Sequence, residues 1–153
     1  MATKIATGLI VSSIAFSQGG HIPKKYSCEG ENINPPLEIN HFPKEKTKTL
    51  AIIVEDPDAP RGIFDHWLVW NISPKEPISE NYIPGVSGRN SFGNTGYGGP
   101  CPPSGSHRYY FKVYALDTSL DLAEGADKKQ LQDAMQGHII TSGELMAHYK
   151  KGG

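Results

Sequence analysis

Apolar residues in this chain fall in short runs, some continuous and some alternating with polar positions, and most end on Gly, Pro or Asp-Pro. That pattern predicts strands joined by turns. Residues 50–55 (LAIIVE) form a continuous, β-branched apolar run, which predicts a strand buried in a sheet and stopping at Asp56-Pro57. Residues 66–72 (HWLVWNI) predict the next strand, halted by Ser73-Pro74. Over residues 107–117, strict alternation puts His107, Tyr109, Phe111, Val113 and Ala115 on one face, and Arg108, Tyr110, Lys112, Tyr114 and Leu116 on the other. A first strand is read from the alternation Ile10, Ser12, Ile14, Phe16 and ends at Gly19-Gly20; a short one covers 37–39 and a last one roughly 138–149. Only residues 127–136 read as a helix, with Asp127 as cap, Leu131, Ala134 and Met135 facing inward, and Gly137 as the stop. Residues 77–105 carry almost nothing but turn chemistry, and so long a loop in a small domain is expected to be functional.

Composition sharpens this picture. At 153 residues the chain suits one domain, 1–153, and Gly 17 with Pro 12 against 20% charged residues fits a mainly β fold rich in turns. The formal net charge of −1 provides no basic footprint, which sets nucleic acid aside as a partner. Lys4 followed by the apolar stretch 5–16 superficially resembles a short secretory leader. Thr7, Gly8, Ser12 and Ser13 interrupt it, so the reading favours a strand and a cytoplasmic protein. No stretch is long enough to span a membrane. Cys28 and Cys101 are too few and too far apart for a disulfide scaffold or a clustered zinc site, though they remain free to pair in space. As a thiol in a Gly/Pro loop, Cys101 is a candidate for reactivity.

Three polar residues then decide where chemistry sits. Asp56 closes one predicted strand, and His66 opens the next after a loop too short for a helical crossover, so the two strands are antiparallel neighbours. His107 joins them at the same sheet edge provided its strand runs parallel to that of His66. The loop before it, 98–105 (GGPCPPSG), offers glycine amides that approach a ligand closely and prolines that limit collapse. Two imidazoles and these amides suit a phosphate group, with Asp56 and Asp58 orienting the rings. An acid beside an anion favours a zwitterionic ligand, such as an amino-alcohol phosphate. The alternative is a hydrolase, with the two Asp and two His around a metal, or Ser104 or Ser106 beside His107 as nucleophile and base. The remaining histidines, His21, His41, His138 and His148, read as surface or edge residues, and Trp67 and Trp70 as core or sheet-face residues.

At these same positions the sequence resembles the phosphatidylethanolamine-binding protein family, in its prokaryotic Raf kinase inhibitor-like branch. The resemblance rests on Asp56-Pro57-Asp58-Ala59-Pro60, on His66-Trp67-Leu68-Val69-Trp70-Asn71, and on Gly99-Pro100-Cys101-Pro102-Pro103 running through His107-Arg108-Tyr109. Flanking residues agree over nearly the whole chain, among them Tyr26, Cys28, Gly30, Asn32 and Gly143-Glu144-Leu145. It implies a β-sandwich with a central antiparallel sheet, a smaller second sheet and one or two short helices. It also implies a non-enzymatic, cofactor-free protein with an anion pocket of Asp56, Asp58, His66, Gly99, Pro100, Cys101, His107 and Tyr109, and a cis Ala59-Pro60 bond. By the same resemblance the partners are a phosphorylated small molecule and a protein kinase or serine protease, the latter met by a rim around residues 84–97, and the chain is a homodimer. Two departures stand out: Phe64-Asp65 replaces the aromatic-histidine lip of animal members and adds a negative charge at the mouth, and Cys101 replaces their proline.

Overall fold

The computed structural model describes residues 8–153. Its elements in chain order are β1 (Ile10–Ser12), β2 (Glu38–Asn40), β3 (Thr49–Asp56), β4 (Phe64–Ile72), β5 (Val86–Ser87), β6 (Ser106–Leu116), α1 (Lys128–Met135) and β7 (Ile139–Lys150). The five-stranded sheet has the order β5-β4-β3-β6-β7 and is antiparallel throughout, while β1 and β2 form a separate two-stranded sheet.

β3 is buried along its entire length because both faces of the central sheet are covered. On one face Leu50, Ile52 and Val54 pack with Trp67, Val69, Phe111 and Val113 under the N-terminal segments carrying Val11, Phe16, Ile22, Tyr26 and Leu37. On the other, Ala51, Ile53, Leu68 and Trp70 meet Leu131 and Met135 of α1. A strand between two apolar layers loses its alternation and reads as a continuous run. β6 keeps its alternation, with His107, Tyr109, Phe111, Val113 and Ala115 all buried. α1 opens on a reciprocal capping box, in which Asp127 accepts from the Gln130 amide and Gln130 accepts from the Asp127 amide. Gly137, at φ +85°, follows its end.

Three expectations need correction. β1 ends at Ser12 rather than at Gly19-Gly20 and has the opposite phase to the one read from the sequence: Leu9 and Val11 face the core, Ile10 and Ile14 are 50% and 84% exposed, and Phe16 is buried from beyond the strand. Apolar residues occupy both parities there, so alternation alone cannot choose the face; the pairing of Val11 with Ile39 and the close approach of Leu9 to Gly143 do. The part of that prediction before residue 8 lies outside the described residues. The Ala59-Pro60 bond is trans, as no described peptide bond is cis. The turn 59–62 closes through Gly62 N–H to Ala59 O at 3.1 Å, with Pro60 following Ala59 and Gly62 at φ +111°, so a trans bond suffices. Finally, the stretch 77–105 contains β5, pinned to β4 at Val69 and Trp70.

Candidate functional site

β4 and β6 both pair antiparallel with β3, so they run in the same direction, and their first residues meet the end of β3 at one sheet edge. Asp56, His66, His107 and Tyr109 converge there on a cavity of about 150 Å³. Tyr109 and His107 arrive by alternation on β6. His66 arrives by a different device. The β3–β4 register shifts between Val54↔Trp67 and Glu55↔Asp65, leaving His66 as the extra residue of a bulge. Counting back by twos from Trp70 and Leu68 would turn His66 toward α1. The bulge instead lets it share the cavity with Tyr109, their rings 5.2 Å apart.

Hydrogen bonds fix which atoms face the cavity. Asp56 is 3% exposed; its Oδ2 lies 2.6 Å from His107 Nδ1 and its Oδ1 accepts the Asp58 amide at 2.7 Å. His66 Nδ1 lies 2.8 Å from the carbonyl oxygen of Gly98, which can only accept, so Nδ1 carries the proton. With Nδ1 committed in both rings, Nε2 is the atom each offers to a ligand. Burial lowers the His66 pKa, against the opposing pull of the Gly98 carbonyl and Asp56, and the ring is therefore neutral at neutral pH. Tyr109 is fully buried beside the Asp56 carboxylate and the Cys101 backbone, and its hydroxyl forms no hydrogen bond of good geometry. Burial first, and then the Asp56 charge, hold its pKa far above the ordinary phenol value.

Other predicted site residues support the cavity without lining it. Asp58 is clamped bidentately by Arg108, with Nε to Oδ2 at 2.9 Å and Nη2 to Oδ1 at 2.8 Å, and also accepts the Arg108 amide. The Arg108 hydrogen bonds lower the Asp58 pKa to about 2. The amide of Gly98 is taken by His66 O and that of Gly99 by Asn32 Oδ1, while Pro100 has none. A cradle of free glycine amides is therefore not what this loop provides. Gly99 is glycine for packing reasons, since a Cβ there would stand 2.1 Å from Tyr26 O. Cys101 does line the cavity, but as half of a disulfide with Cys28, so it is not a reactive thiol. Asp65 brings no charge to the mouth: it faces α1 and pairs with Lys128 at 2.7 Å. Ser104 and Ser106 are exposed and off the cavity wall. Among the described residues no group of three His, Cys, Asp or Glu is placed to hold a metal ion.

The remaining wall is apolar and was only partly legible. Ala59, Pro60, Pro102 and Pro103 line it, with Phe64 and Phe92 packed edge-on at 4.7 Å and both close to His66. Phe92 sits in a loop without periodicity, organised by Asn90, whose side chain accepts from the Phe92 and Asn94 amides and donates to Gly96 O. The one signal for it was an aromatic residue in an otherwise polar, Gly-rich stretch.

Comparison with known proteins agrees with this fold. Residues 12–150 match the family described as phosphatidylethanolamine-binding protein. A UPF0098 protein of Pyrococcus horikoshii is 50% identical over 154 aligned residues, which cover 94% of this chain and 77% of that one. The crystal structure of a phosphatidylethanolamine-binding protein homologue from Chlamydia trachomatis matches with a TM-score of 0.90 at 47% identity, covering 95% of this chain and 99% of the other. That of E. coli YbcL, described as a member of the mammalian PEBP family, matches with a TM-score of 0.85 at 30% identity, covering 94% and 99%. No described helix is long and apolar enough to cross a membrane.

Proposed function

This chain belongs to the phosphatidylethanolamine-binding protein family, and we propose that it is a non-enzymatic binding protein whose cavity takes a phosphate group, free or on a small molecule. The observation that carries this reading is the Tyr109 hydroxyl, fully buried and without a hydrogen bond of good geometry, in the same cavity as two imidazoles whose Nδ1 atoms are already committed. A buried donor whose neighbours offer only poor geometry is costly, and a ligand oxygen would relieve it. A volume of about 150 Å³ suits a compact oxyanion. Repulsion from nearby acids is moderated, because Asp56 accepts two internal hydrogen bonds, Asp58 is paired with Arg108 and Asp65 with Lys128. Among the described residues no unpaired carboxylate lines the cavity to meet a ligand cation, so the ammonium of an amino-alcohol phosphate gains little. Calorimetric titration with inorganic phosphate, O-phosphoethanolamine and acetate tests the reading. The two phosphates should bind comparably at one site and acetate far more weakly; no phosphate binding, or acetate binding equally well, overturns it.

A second reading, restraint of a kinase or serine protease by the rim, draws on an apolar side chain of that segment held out to solvent at the cavity: Phe92 is 43% exposed. Assays against a panel of such enzymes, with residues 84–97 scrambled as the control, decide it. Inhibition that survives scrambling refutes the rim.

A further inference from the structure

The Cys28–Cys101 disulfide is not a core staple. Both cysteines are exposed, the bridge joins positions 73 residues apart, and Cys101 is itself part of the cavity wall. From Cys101 the chain continues as Pro102 and Pro103, also wall, before Gly105 at φ +66° turns it into β6 and His107. This wall has few ties of its own. Proline has no N–H to donate, and among the described residues the segment is reached by Cys28 N–H to Pro100 O at 3.0 Å and Lys151 Nζ to Pro103 O at 3.2 Å, with the Tyr109 hydroxyl beside the Cys101 backbone. The Lys151 amide also holds Gly105 O at 2.9 Å. The deep polar groups, by contrast, are fixed independently of the bridge, His66 by Gly98 O and His107 by Asp56.

Building on the anion-pocket reading, we propose that the Cys28–Cys101 bridge is a redox control on that pocket, holding the wall in place when oxidised and releasing it when reduced. The reductant is a dithiol. Its thiolate attacks one sulfur of the bridge to give a mixed disulfide, and its second thiol then closes its own disulfide; two electrons and two protons pass to Cys28 and Cys101. In the reduced protein the 101–103 wall gains freedom that a bound anion must take away again, and that ordering lowers affinity while the imidazoles keep their positions.

The experiment compares phosphate affinity of the native protein before reduction by dithiothreitol, after it, and after reoxidation, with far-UV circular dichroism confirming that the fold persists. We expect affinity to fall about tenfold on reduction and to recover on reoxidation. The Cys28→Ser/Cys101→Ser double variant should bind like the reduced protein and ignore dithiothreitol; if it does not fold, the reversible reduction of the native chain decides alone. Amide exchange over residues 99–106, measured without ligand, separates the two levels of the argument. Faster exchange confined to that segment on reduction supports the control, and equal affinity in both redox states overturns it. Failure of the oxidised protein to bind phosphate overturns the anion pocket, and exchange that does not change on reduction then overturns the control of the wall as well.

Discussion

His107 Nδ1 lies 2.6 Å from a carboxylate oxygen of Asp56, a residue 51 positions earlier in the chain, and this bond sets which nitrogen of the ring meets the cavity. The same carboxylate accepts the Asp58 amide, so it serves two donors with two oxygens. Asp56→Asn keeps the size but leaves one acceptor for both. It is expected to cost about 1–3 kcal/mol of stability and to weaken phosphate binding through a poorly fixed His107 ring. Urea unfolding and calorimetry check the two effects, and a variant as stable as the parent would show that the pair does not matter.

Tyr109→Phe separates folding from binding. The hydroxyl it removes is buried and makes no hydrogen bond of good geometry, so stability should hold or rise, while phosphate affinity should fall by about 1 kcal/mol, the net worth of one hydrogen bond. A thermal melt and a phosphate titration on the same preparation provide both numbers. Unchanged affinity would take the hydroxyl out of the ligand's reach.

Asp58 predicts an acid limb in stability. Its hydrogen bonds to Arg108 lower its folded pKa from the ordinary 3.8 to about 2. The unfolded chain therefore binds the proton first: the contribution is complete above about pH 4 and is lost as pH falls toward 2. Asp58→Asn should flatten that part of a stability–pH curve, and an unaltered curve would assign the limb to other carboxylates.

His66 predicts proton uptake on binding. Burial depresses its pKa below 6.5, so in the free protein the ring is neutral at neutral pH, and its stabilising neutrality is complete above 6.5 and eroded as pH falls from there through the lowered folded pKa. An anion at Nε2 favours the charged ring. Sulfate, which does not titrate near neutrality, should bind with net proton uptake, visible as heats that depend on buffer ionisation enthalpy and diminished in His66→Gln. Buffer-independent heats would contradict this.

Sequence carried much of the fold but little of what shapes the cavity. β3, β4, β6, β7 and α1 were legible because each answers to one local rule: a continuous run between two apolar layers, alternation over one buried face, or a capped amphipathic turn. That Asp56, His66 and His107 lie at one sheet edge followed from strand direction, given a β6 parallel to β4. What was not legible depends on partners distant in sequence. The bulge that turns His66 into the cavity is a property of the β3–β4 pairing, and the neutralisation of Asp65 needs Lys128 from a helix far along the chain. The glycine loop misled for the same reason: its amides were counted as free, whereas His66 O and Asn32 consume them.

The most direct measurement of the central claim follows the imidazole nitrogen resonances of His66 and His107 during a phosphate titration. Both rings should move together, saturate with a single binding constant, and lose the response in His107→Ala. Rings that stay still, or that drift without saturating and independently of one another, would contradict a common anion site.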